Sequence, residues 1–552
     1  MPRGHRLLTA GECQVIGSIL ALPDTSAAAW ARLVLRKPTT FVIARLADAD
    51  ATAVPDLYAH GLVDHLVPWT RRVDLMTNPL LGRACRLLGL PAGGRRADRV
   101  ARLVDAGLTT DPAVGRRVAE HLQLRATDVI RVRHRSLVQR LLRWASLRAR
   151  PDPRRPTLER LDIVRWPAYT VTGCGPLHRD RRALLRWEQI LASLDAGTLD
   201  TWLVALADPR IRAPAGLDLT GPVVRRATHA ARDLERAGDT AAARSAYERL
   251  VDLGAVPEGT LAVRIARTLE AEGAHREALA HLRAHRARAV PRARIEIGRT
   301  GRRIARAMGG SWAPDPPLRT PMSRRLRLAR GTPDGPRPTW LGPRGPAAVE
   351  SVVIDMLEAT GRRALHGEGS LWRTLFALLF AERAYFAPVP GALPAPRMAG
   401  PVDLGTPAFA SSRPAEIAAC RDTIVSGRAA ACIRSAHARF FGTRLAGANW
   451  SLAPVDWLAD AADGLGPTVL ACVMNHLLDH GLGAAAGLPD LVVLPGDPGR
   501  IHAFPAVIPG KTLMIEVKGP GDVLRLEQRL WCDRLLHAGA AVEIWRIRSQ
   551  DD

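Results

Sequence analysis

Two short apolar runs near the end of the chain carry charged side chains that could hold a metal ion. The first is residues 491–494, preceded directly by Asp490, and the second is residues 513–518, which contains Glu516 and Lys518. Side chains of a strand alternate between faces, so Glu516 and Lys518 point the same way. If the two runs pair as a hairpin, Asp490 comes alongside them. Two carboxylates and one ammonium can hold a hard divalent cation and an attacking water.

Lysine usage draws attention to Lys518. The chain holds 78 Lys+Arg, yet lysine occurs only at Lys37, Lys511 and Lys518. Arginine is a planar and permanently charged fork, whereas lysine is a compact charge whose pKa falls on burial. A lysine two residues after a strand glutamate therefore indicates a task that arginine cannot perform. On its own, Glu-x-Lys also fits a surface hairpin whose charges pair across solvent.

A further carboxylate lies far upstream, in the sequence His-Gly-Glu-Gly-Ser at residues 366–370. The flanking glycines favour a tight turn, so Glu368 is presented just before the apolar run 371–380, which has the length of a buried helix. Taken alone, the same pattern fits an ordinary helix start.

Together these residues resemble the PD-(D/E)-x-K nucleases in their VRR-NUC form, and in particular the Fanconi-anaemia-associated nuclease family. Asp522 and Trp531 continue that family's pattern, whereas the stretch between Asp490 and Glu516 is longer than usual, which leaves the hairpin register open. The resemblance implies carboxylates and one carbonyl that ligate Mg²⁺ or Mn²⁺, beside two side chains that orient water or DNA. The implied ligands are Glu368, Asp490, Glu516 and the carbonyl of Val517, and the two flanking residues are Lys518 and Gln528.

The elements that must position these residues follow the order strand, strand, helix, strand. A helix is predicted from Val523 to Gly539, begun by Asp522 and ended by the glycine. The apolar run 542–547 then supplies a further strand.

Composition points to a polyanionic partner. The 78 basic and 54 acidic residues give a formal charge of +24, which favours nucleic acid first and anionic membrane second. Part of this excess could reflect codon bias. The seven cysteines form no C-x-x-C pair, as expected of reduced thiols in the cytoplasm, or at the nucleoid if the source is bacterial. The apolar run 15–22 is too short to span a bilayer, so no membrane association is expected.

Three regions are predicted before residue 216. Residues 1–75 resemble a winged-helix-like entry region, although a small helical domain with a basic face fits equally. Residues 76–110 resemble a SAP-like helix-loop-helix, with a generic helical hairpin as the alternative. Residues 111–215 are predicted as a basic helical linker region. DNA-binding candidates in this half are Arg32, Lys37, Arg95 and Arg96.

Residues 216–330 contain an internal repeat. Ala231, Gly238 and Tyr247 recur as Ala266, Gly273 and Leu282, a constant shift of about 35 residues, the period of TPR-like helical pairs. Such a region would act as a scaffold and could offer a surface to protein partners. Its arginine-rich end adds Arg324 and Arg325 as DNA-binding candidates.

The predicted fold is therefore multidomain, with a mainly α N-terminal half and a C-terminal α/β nuclease domain at 345–552, whose VRR-NUC core lies at about 435–550. The resemblance implies 5′-flap incision and 5′→3′ trimming of branched or flapped DNA, a phosphodiesterase I type of activity that serves DNA repair, including repair of interstrand cross-links. The alternatives are a junction resolvase or restriction-type nuclease on the same core, and a non-catalytic DNA-binding scaffold. The oligomeric state is left open.

Overall fold

The computed structural model describes residues 7–36, 39–65, 73, 75–123, 129–146, 164–171, 180–208, 219–256, 259–331, 339–395, 397–494 and 512–550. The chain divides into two compact units. The first comprises Met1–Arg155 and His178–Arg181, and the second comprises Pro156–Leu177 and Arg182–Asp552. No helix in the described ranges combines the length and the apolarity needed to cross a bilayer.

The first unit is helical, with one small antiparallel sheet in the order β1-β3-β2. Its strands are β1 (Thr40–Val42), β2 (Val63–Asp64) and β3 (Val129–Val132). The sheet extends beyond the predicted domain boundary at residue 75. Its strand β3 comes from residues 111–215, which were predicted to be a helical linker region. Its helices, with a short 3-10 turn at Ile43–Arg45, are α1 (Ala10–Leu20), α2 (Asp24–Leu35), α3 (Asp48–Ala51), α4 (Val54–Ala59), α5 (Asn78–Leu87), α6 (Arg96–Asp105), α7 (Pro112–His121) and α8 (Arg135–Ser146).

The second unit begins with an array of helices that form antiparallel neighbours. The predicted repeat corresponds to two successive helix pairs, and Gly238 and Gly273 both adopt a positive φ in the turn within each pair. The repeated Ala231 and Ala266 are fully buried between helices. The helices are α9 (Arg181–Ala196), α10 (Leu199–Ala207), α11 (Thr220–Arg236), α12 (Thr240–Asp252), α13 (Ala262–Ala271), α14 (His275–Arg286) and α15 (Pro291–Ala307).

A five-stranded mixed sheet in the order β4-β10-β9-β8-β7 forms the centre of the C-terminal half. The pairs β4–β10 and β10–β9 are parallel, whereas β9–β8 and β8–β7 are antiparallel. The strands are β4 (Met322–Leu328), β7 (Ala364–His366), β8 (Leu491–Val493), β9 (Leu513–Lys518) and β10 (Ala541–Ser549), and a separate hairpin is made of β5 (Trp340–Gly342) and β6 (Gly345–Ala347).

Helices cover both faces of this sheet. One face packs its strand residues Ile515 and Trp545 against Val352 and Val353 of the helix that precedes β7. The other face packs Met514 and Val492 against the helices between β7 and β8 and the last helix. These helices are α16 (Val349–Ala359), α17 (Ser370–Phe380, continued by a π turn at Ala381–Tyr385), α18 (Pro407–Ser411), α19 (Pro414–Val425), α20 (Ala429–Phe440), α21 (Val455–His480, followed by a 3-10 turn at Leu482–Ala485) and α22 (Leu526–His537).

Two sequence predictions differ from this fold. The sequence predicts β4 as part of the helical TPR-like region, because its alternation of arginine and apolar residues does not produce an apolar run. The last helix was predicted to start after Asp522, but it starts at Leu526. The Asp522 carboxylate instead accepts a hydrogen bond from the Gly519 amide (3.1 Å), so it stabilises the turn after β9. The predicted end at Gly539 is confirmed, since this glycine has a φ of 80° just past the helix.

Candidate metal centre

Strand pairing brings Asp490 next to Glu516. Leu491 is paired with Ile515 in the antiparallel β8–β9 ladder, so the residue before β8 lies opposite Glu516. The Val517 amide donates a hydrogen bond to Oδ2 of Asp490 (2.8 Å), which fixes the carboxylate beside β9. The hairpin relation predicted between the two apolar runs is therefore present, and residues 495–511 of the connecting insert lie outside the described chain.

Glu516 is the buried centre of a short polar network. Its side chain is fully buried, and Oε1 lies 2.7 Å from Nζ of Lys518. The Gln528 side-chain amide donates to the same oxygen (2.5 Å). Gln528 in turn accepts a hydrogen bond from the Arg525 amide (3.0 Å) at the start of α22. The first turn of α22 thus holds the amide that orients Glu516.

Glu368 lies close to Asp490 because the strand before it, β7, pairs with β8. β7 pairs with β8 so that His366 lies opposite Leu491, and the Gly367 amide donates to the carbonyl of Asp490 (3.2 Å). Ligand atoms of His366, Glu368 and Asp490 lie within 4.8 Å of one another. The turn before α17 therefore places Glu368 at the start of β8, next to Asp490.

The donor atoms of this cluster suit a divalent cation. Asp490 and Glu368 offer carboxylate oxygens, the hard ligands that Mg²⁺ and Mn²⁺ prefer. Oε2 of the buried Glu516 receives no hydrogen bond from the described part of the chain. A buried oxygen without a donor is costly, and a cation would satisfy it. The predicted ligand Val517 belongs to β9 and contacts Asp490 through its amide.

The electrostatics of the two central carboxylates also reflect their crowding. Burial, followed by the neighbouring Asp490, raises the pKa of Glu516, and Lys518 only partly opposes this. Burial likewise raises the pKa of Asp490, with further contributions from Glu350 and Glu368, while the Val517 amide and Lys518 act in the opposite sense. Two buried negative charges so close together require a compensating positive charge.

Two residues near this site were missed by sequence reasoning. His366 was read only as part of the turn, although it directly precedes the Gly-flanked Glu368 and so had a usable signal. Glu350, in the first turn of α16, acts electrostatically on Asp490, and nothing in its sequence context distinguished it from an ordinary helix-start carboxylate.

The predicted DNA-binding arginines have different environments. Arg32 donates two hydrogen bonds to the buried Asp50, and Arg324 forms a two-point ion pair with Glu543 of β10 (2.6 and 2.8 Å). Both side chains are thus already paired with carboxylates, and their contact with DNA stays a prediction. Arg95, Arg96 and Arg325 are exposed, and Lys37 lies outside the described residues.

An arginine-lined cavity in the helical array was not predicted. It has a volume of about 730 Å³ and is formed by α11, α13 and α15 with the segment before α13. Its exposed basic side chains, drawn from three helices, are Arg225, Arg232, Arg267, Arg292 and Arg299. The sequence predicts only a scaffold here, because the repeat pattern reports buried positions and not the charges between them.

A second cavity, of about 720 Å³, adjoins the candidate metal-binding cluster of His366, Glu368 and Asp490. Glu368 and Gln528 form part of its wall, and Trp531 of α22 and His476 of α21 form another part. The His476 and Trp531 rings are in edge contact, with centroids 4.7 Å apart. The cluster is thus reached from a concave surface.

Comparison with known proteins agrees with this arrangement. The VRR-NUC domain model matches residues 426–548. The Fanconi-associated nuclease 1 homolog of Pseudomonas aeruginosa is 34% identical over 189 residues, which cover 34% of this chain and 32% of that protein. Fanconi-associated nuclease 1 of Ailuropoda melanoleuca is 31% identical over 215 residues, covering 37% and 20%. The chain thus spans about a third or less of the curated relatives it matches.

The structural match extends further along the chain. A crystal structure of paFAN1 bound to DNA with a 2-nucleotide 5′ flap and a gap superposes with a TM-score of 0.79 at 27% identity, covering 100% of this chain and 96% of that one. A complex of paFAN1 with a 1-nucleotide 5′ flap gives 0.78 at 26% identity. The chain carries a VRR-NUC domain and is similar in sequence and in structure to the Fanconi-associated nucleases.

Proposed function

We propose that the chain is a metal-dependent, structure-selective DNA nuclease. It would incise 5′ flaps and trim strands in the 5′→3′ direction, a phosphodiesterase I type of hydrolysis that serves DNA repair, including repair of interstrand cross-links, in the cytoplasm or at the nucleoid. One observation carries the proposal: donor atoms of His366, Glu368 and Asp490 converge within 4.8 Å, beside the buried pair of Glu516 and Lys518. The relative with the flap-bound structures supplies the class of substrate.

Glu368, Asp490, Glu516 and the carbonyl of Val517 would hold Mg²⁺ or Mn²⁺ in this proposal. When bound there, such a cation would lower the pKa of a water molecule and would offset the charge that grows on the scissile phosphate. Lys518 orients the water or neutralises negative charge, since its ammonium is already fixed on Oε1 of Glu516 (2.7 Å). Gln528 keeps Glu516 in place through its amide, and the α22 cap keeps Gln528 in place.

DNA would be held by basic surfaces outside the metal cluster. In the helical array, the exposed arginines of the 730 Å³ cavity suit backbone phosphates. In the first unit, Arg95 and Arg96 start α6 of the helix-loop-helix that we propose as SAP-like, and Arg325 on β4 remains a candidate in the nuclease half. The same proposal includes two further assignments. Residues 1–75 are winged-helix-like, and residues 216–330 are TPR-like and offer a surface to protein partners.

The proposal is tested with labelled flap, nicked, duplex and single-stranded DNA, each with and without Mn²⁺. We expect cutting only with the metal, and faster cutting of the 5′ flap than of the other substrates. Preferential cutting of four-way junctions or of intact duplex would favour a resolvase or restriction-type nuclease. Binding without any cutting would favour a non-catalytic scaffold.

A further inference from the structure

Three aromatic rings form a group at the end of α20 and in the loop that follows it. The ring centroids of His437 and Phe441 are 4.8 Å apart, those of Phe441 and Trp450 are 5.8 Å apart, and those of His437 and Trp450 are 5.6 Å apart. We call this group the aromatic trio. Phe441 leaves 56% of its surface exposed. An exposed phenylalanine in contact with two other rings offers a flat apolar face to solvent.

The trio is fixed by backbone contacts and not by packing over Phe441. The Trp450 indole N–H donates to the carbonyl of Thr443 (2.6 Å), and the Phe441 amide donates to the carbonyl of His437 (2.9 Å). Burial lowers the pKa of His437, which favours the neutral form of its ring. The exposed ring is therefore preorganised, and a flat ligand could stack on it without first ordering the loop.

One loop joins the trio to the turn that carries Glu368. Asn449, adjacent to Trp450, donates from its side chain to Oγ of Ser370 (3.2 Å) and from its amide to Oγ1 of Thr374 (3.1 Å). Both acceptors lie in the first turns of α17, directly after Glu368. The trio therefore lies at the same end of the helical layer as the metal-binding cluster.

Exposed arginines lie in the segment that carries the trio and beside it. Arg439 places its guanidinium 5.2 Å from the ring of Phe440, and the Arg444 amide donates to the carbonyl of Arg165 (2.7 Å), so these two exposed arginines are neighbours. Arg373 is exposed in the first turn of α17. Flat rings flanked by cations are the combination with which proteins hold single-stranded nucleic acid, the rings stacking on bases and the cations contacting phosphates.

We infer that the aromatic trio is a stacking site for an unpaired nucleobase in the single strand next to the cleaved bond, with Phe441 as the stacking ring. The arginines around it contact the phosphates on either side of that base. This inference deepens the proposed nuclease function and rests on it for the identity of the strand. The charge around the trio favours this occupant over a neutral or basic protein segment.

The test compares DNA binding of the full chain with that of Phe441→Ala and Phe441→Tyr, measured in Ca²⁺ so that cutting does not interfere. The DNA probes are a flap duplex, the same duplex with an abasic flap, and a nicked duplex. We expect Phe441→Ala to bind the flap about tenfold more weakly, within the range typical for loss of one stacked base. Its affinity for the abasic flap and the nicked duplex should match the parent, and Phe441→Tyr should behave as the parent.

A fluorescent base supplies a second readout. We expect 2-aminopurine at one flap position to be quenched by the parent and by Phe441→Tyr but not by Phe441→Ala. Val425→Ala, which changes another exposed apolar side chain of the second unit (64% exposed), is the matched control and should leave every value unchanged. Equal affinity of parent and Phe441→Ala for all three DNAs, with no change in quenching, would overturn the inference. A parent that binds and quenches but never cuts would refute the nuclease and leave the stacking site standing.

Discussion

At the scale of single residues, Lys518 and Gln528 both act on one oxygen of Glu516. Lys518 places its ammonium 2.7 Å from Oε1, and the Gln528 amide donates to the same atom. The other oxygen, Oε2, receives no hydrogen bond from the described chain. This asymmetry leaves Oε2 available to a cation while Oε1 fixes the orientation of the carboxylate.

The first prediction concerns Lys518. In Lys518→Arg the charge remains, but the planar fork is larger and cannot occupy the compact position beside Oε1. We expect flap cleavage to fall by about a hundredfold or more, in line with loss of one preorganised electrostatic group, while DNA affinity stays near that of the parent. Cleavage of flap DNA under single-turnover conditions measures this. A parent-like rate in Lys518→Arg would reduce Lys518 to a generic cation.

The second prediction concerns Gln528 as a positioning residue. In Gln528→Leu, Glu516 loses its amide donor and the Arg525 amide loses its acceptor. We expect the metal concentration for half-maximal cleavage to rise by about 10- to 100-fold, as is typical when a residue that orients a ligand is removed. A cleavage titration with Mn²⁺ measures this shift. If only the maximal rate falls and the metal requirement stays the same, Gln528 acts on DNA or water instead.

Much of this site could be predicted from sequence at the residue scale. Asp490, Glu516 and Lys518 were recognisable because they occur at two short apolar runs and because lysine is rare in this chain. Glu368 was recognisable through the family resemblance, because its Gly-flanked turn taken alone also fits an ordinary helix start. Glu350 was not, because its effect on Asp490 depends on how α16 packs against the sheet, and no local pattern records that placement.

At the scale of elements, the site depends on a close approach between the turn before Asp490 and the start of α22. Gly487 has a φ of 90°, and a Cβ atom there would lie 2.9 Å from Cβ of Glu527 and 3.3 Å from the amide nitrogen of Gln528. Only glycine fits this conformation and this spacing. The turn that ends at Asp490 and the helix that carries Gln528 are thereby held together.

The third prediction follows from that contact. Gly487→Ala should destabilise the protein by about 2 kcal/mol, from backbone strain and overpacking together. It should also slow flap cleavage by tenfold or more, because it displaces Asp490 relative to Glu516. Gly483→Ala, where a Cβ atom would have nothing within 4 Å, is the matched control. Thermal unfolding and cleavage rates of the two variants measure the effect, and equal behaviour would contradict it.

The fourth prediction concerns Glu12, which joins α1 to two arginines of the first unit. Its carboxylate contacts Arg140 (2.5 Å) and Arg181 (2.6 Å). Burial acts to raise the pKa of Glu12, but the bond from Arg181, the Thr9 amide and the nearby charges outweigh it and lower the pKa from 4.5 to about 2. Because the folded pKa is the lower one, Glu12 stabilises the fold above pH 4.5, and this stabilisation is lost as the pH falls towards 2.

Glu12→Gln should therefore lower stability at neutral pH by about 2 kcal/mol, the value of a hydrogen-bonded charged group. The difference from the parent should shrink as the pH falls from 4.5 to 2. Thermal midpoints measured across that range test this, with Asp105→Asn at the exposed end of α6 as control. A difference that is independent of pH would show that packing, and not charge, causes the loss.

Element order was predictable at this scale where apolar periodicity is strong. The stripe of Leu470, Val473 and Leu477 in α21 has helical spacing in the sequence, and it packs in the core. The strand β4 was not predictable, because its arginines face solvent or, as with Arg324, pair with Glu543 of β10. It joins the sheet by pairing in parallel with β10, which is more than 200 residues away in the chain. The local sequence of β4 contains no signal of that pairing.

At the scale of the whole molecule, the formal charge is +24, and the arginines that contribute to it include two groups with different environments. Some arginines stabilise the fold through ion pairs, as Arg32 does with Asp50. Others are exposed around the 730 Å³ cavity of the helical array. Charge counted from sequence predicted a polyanionic partner, but it could not separate these two groups, because the separation depends on which carboxylates lie close in space.

The fifth prediction tests the second group. The triple variant with alanine at Arg225, Arg267 and Arg299 should bind flap DNA with a weaker salt dependence. The slope of the logarithm of the binding constant against the logarithm of the salt concentration should be shallower by up to about 3, since each phosphate contact contributes roughly 0.9 to it. A matched triple variant, with alanine at Arg421, Arg428 and Arg434, removes the same charge. Those arginines are held by Asn475, Asp422 and Asp456. Equal slopes for the two variants would mean that only net charge matters.

The most direct test of the central claim is the rate of flap cleavage by Glu516→Gln in Mg²⁺ or Mn²⁺, measured beside its DNA affinity. The substitution keeps the size of the side chain but removes the negative charge from a fully buried position between Asp490 and Lys518. If these carboxylates hold the cation, the variant should bind flap DNA as the parent does and cut it at least a thousandfold more slowly at any metal concentration. Cleavage by Glu516→Gln at a rate near that of the parent would contradict the account.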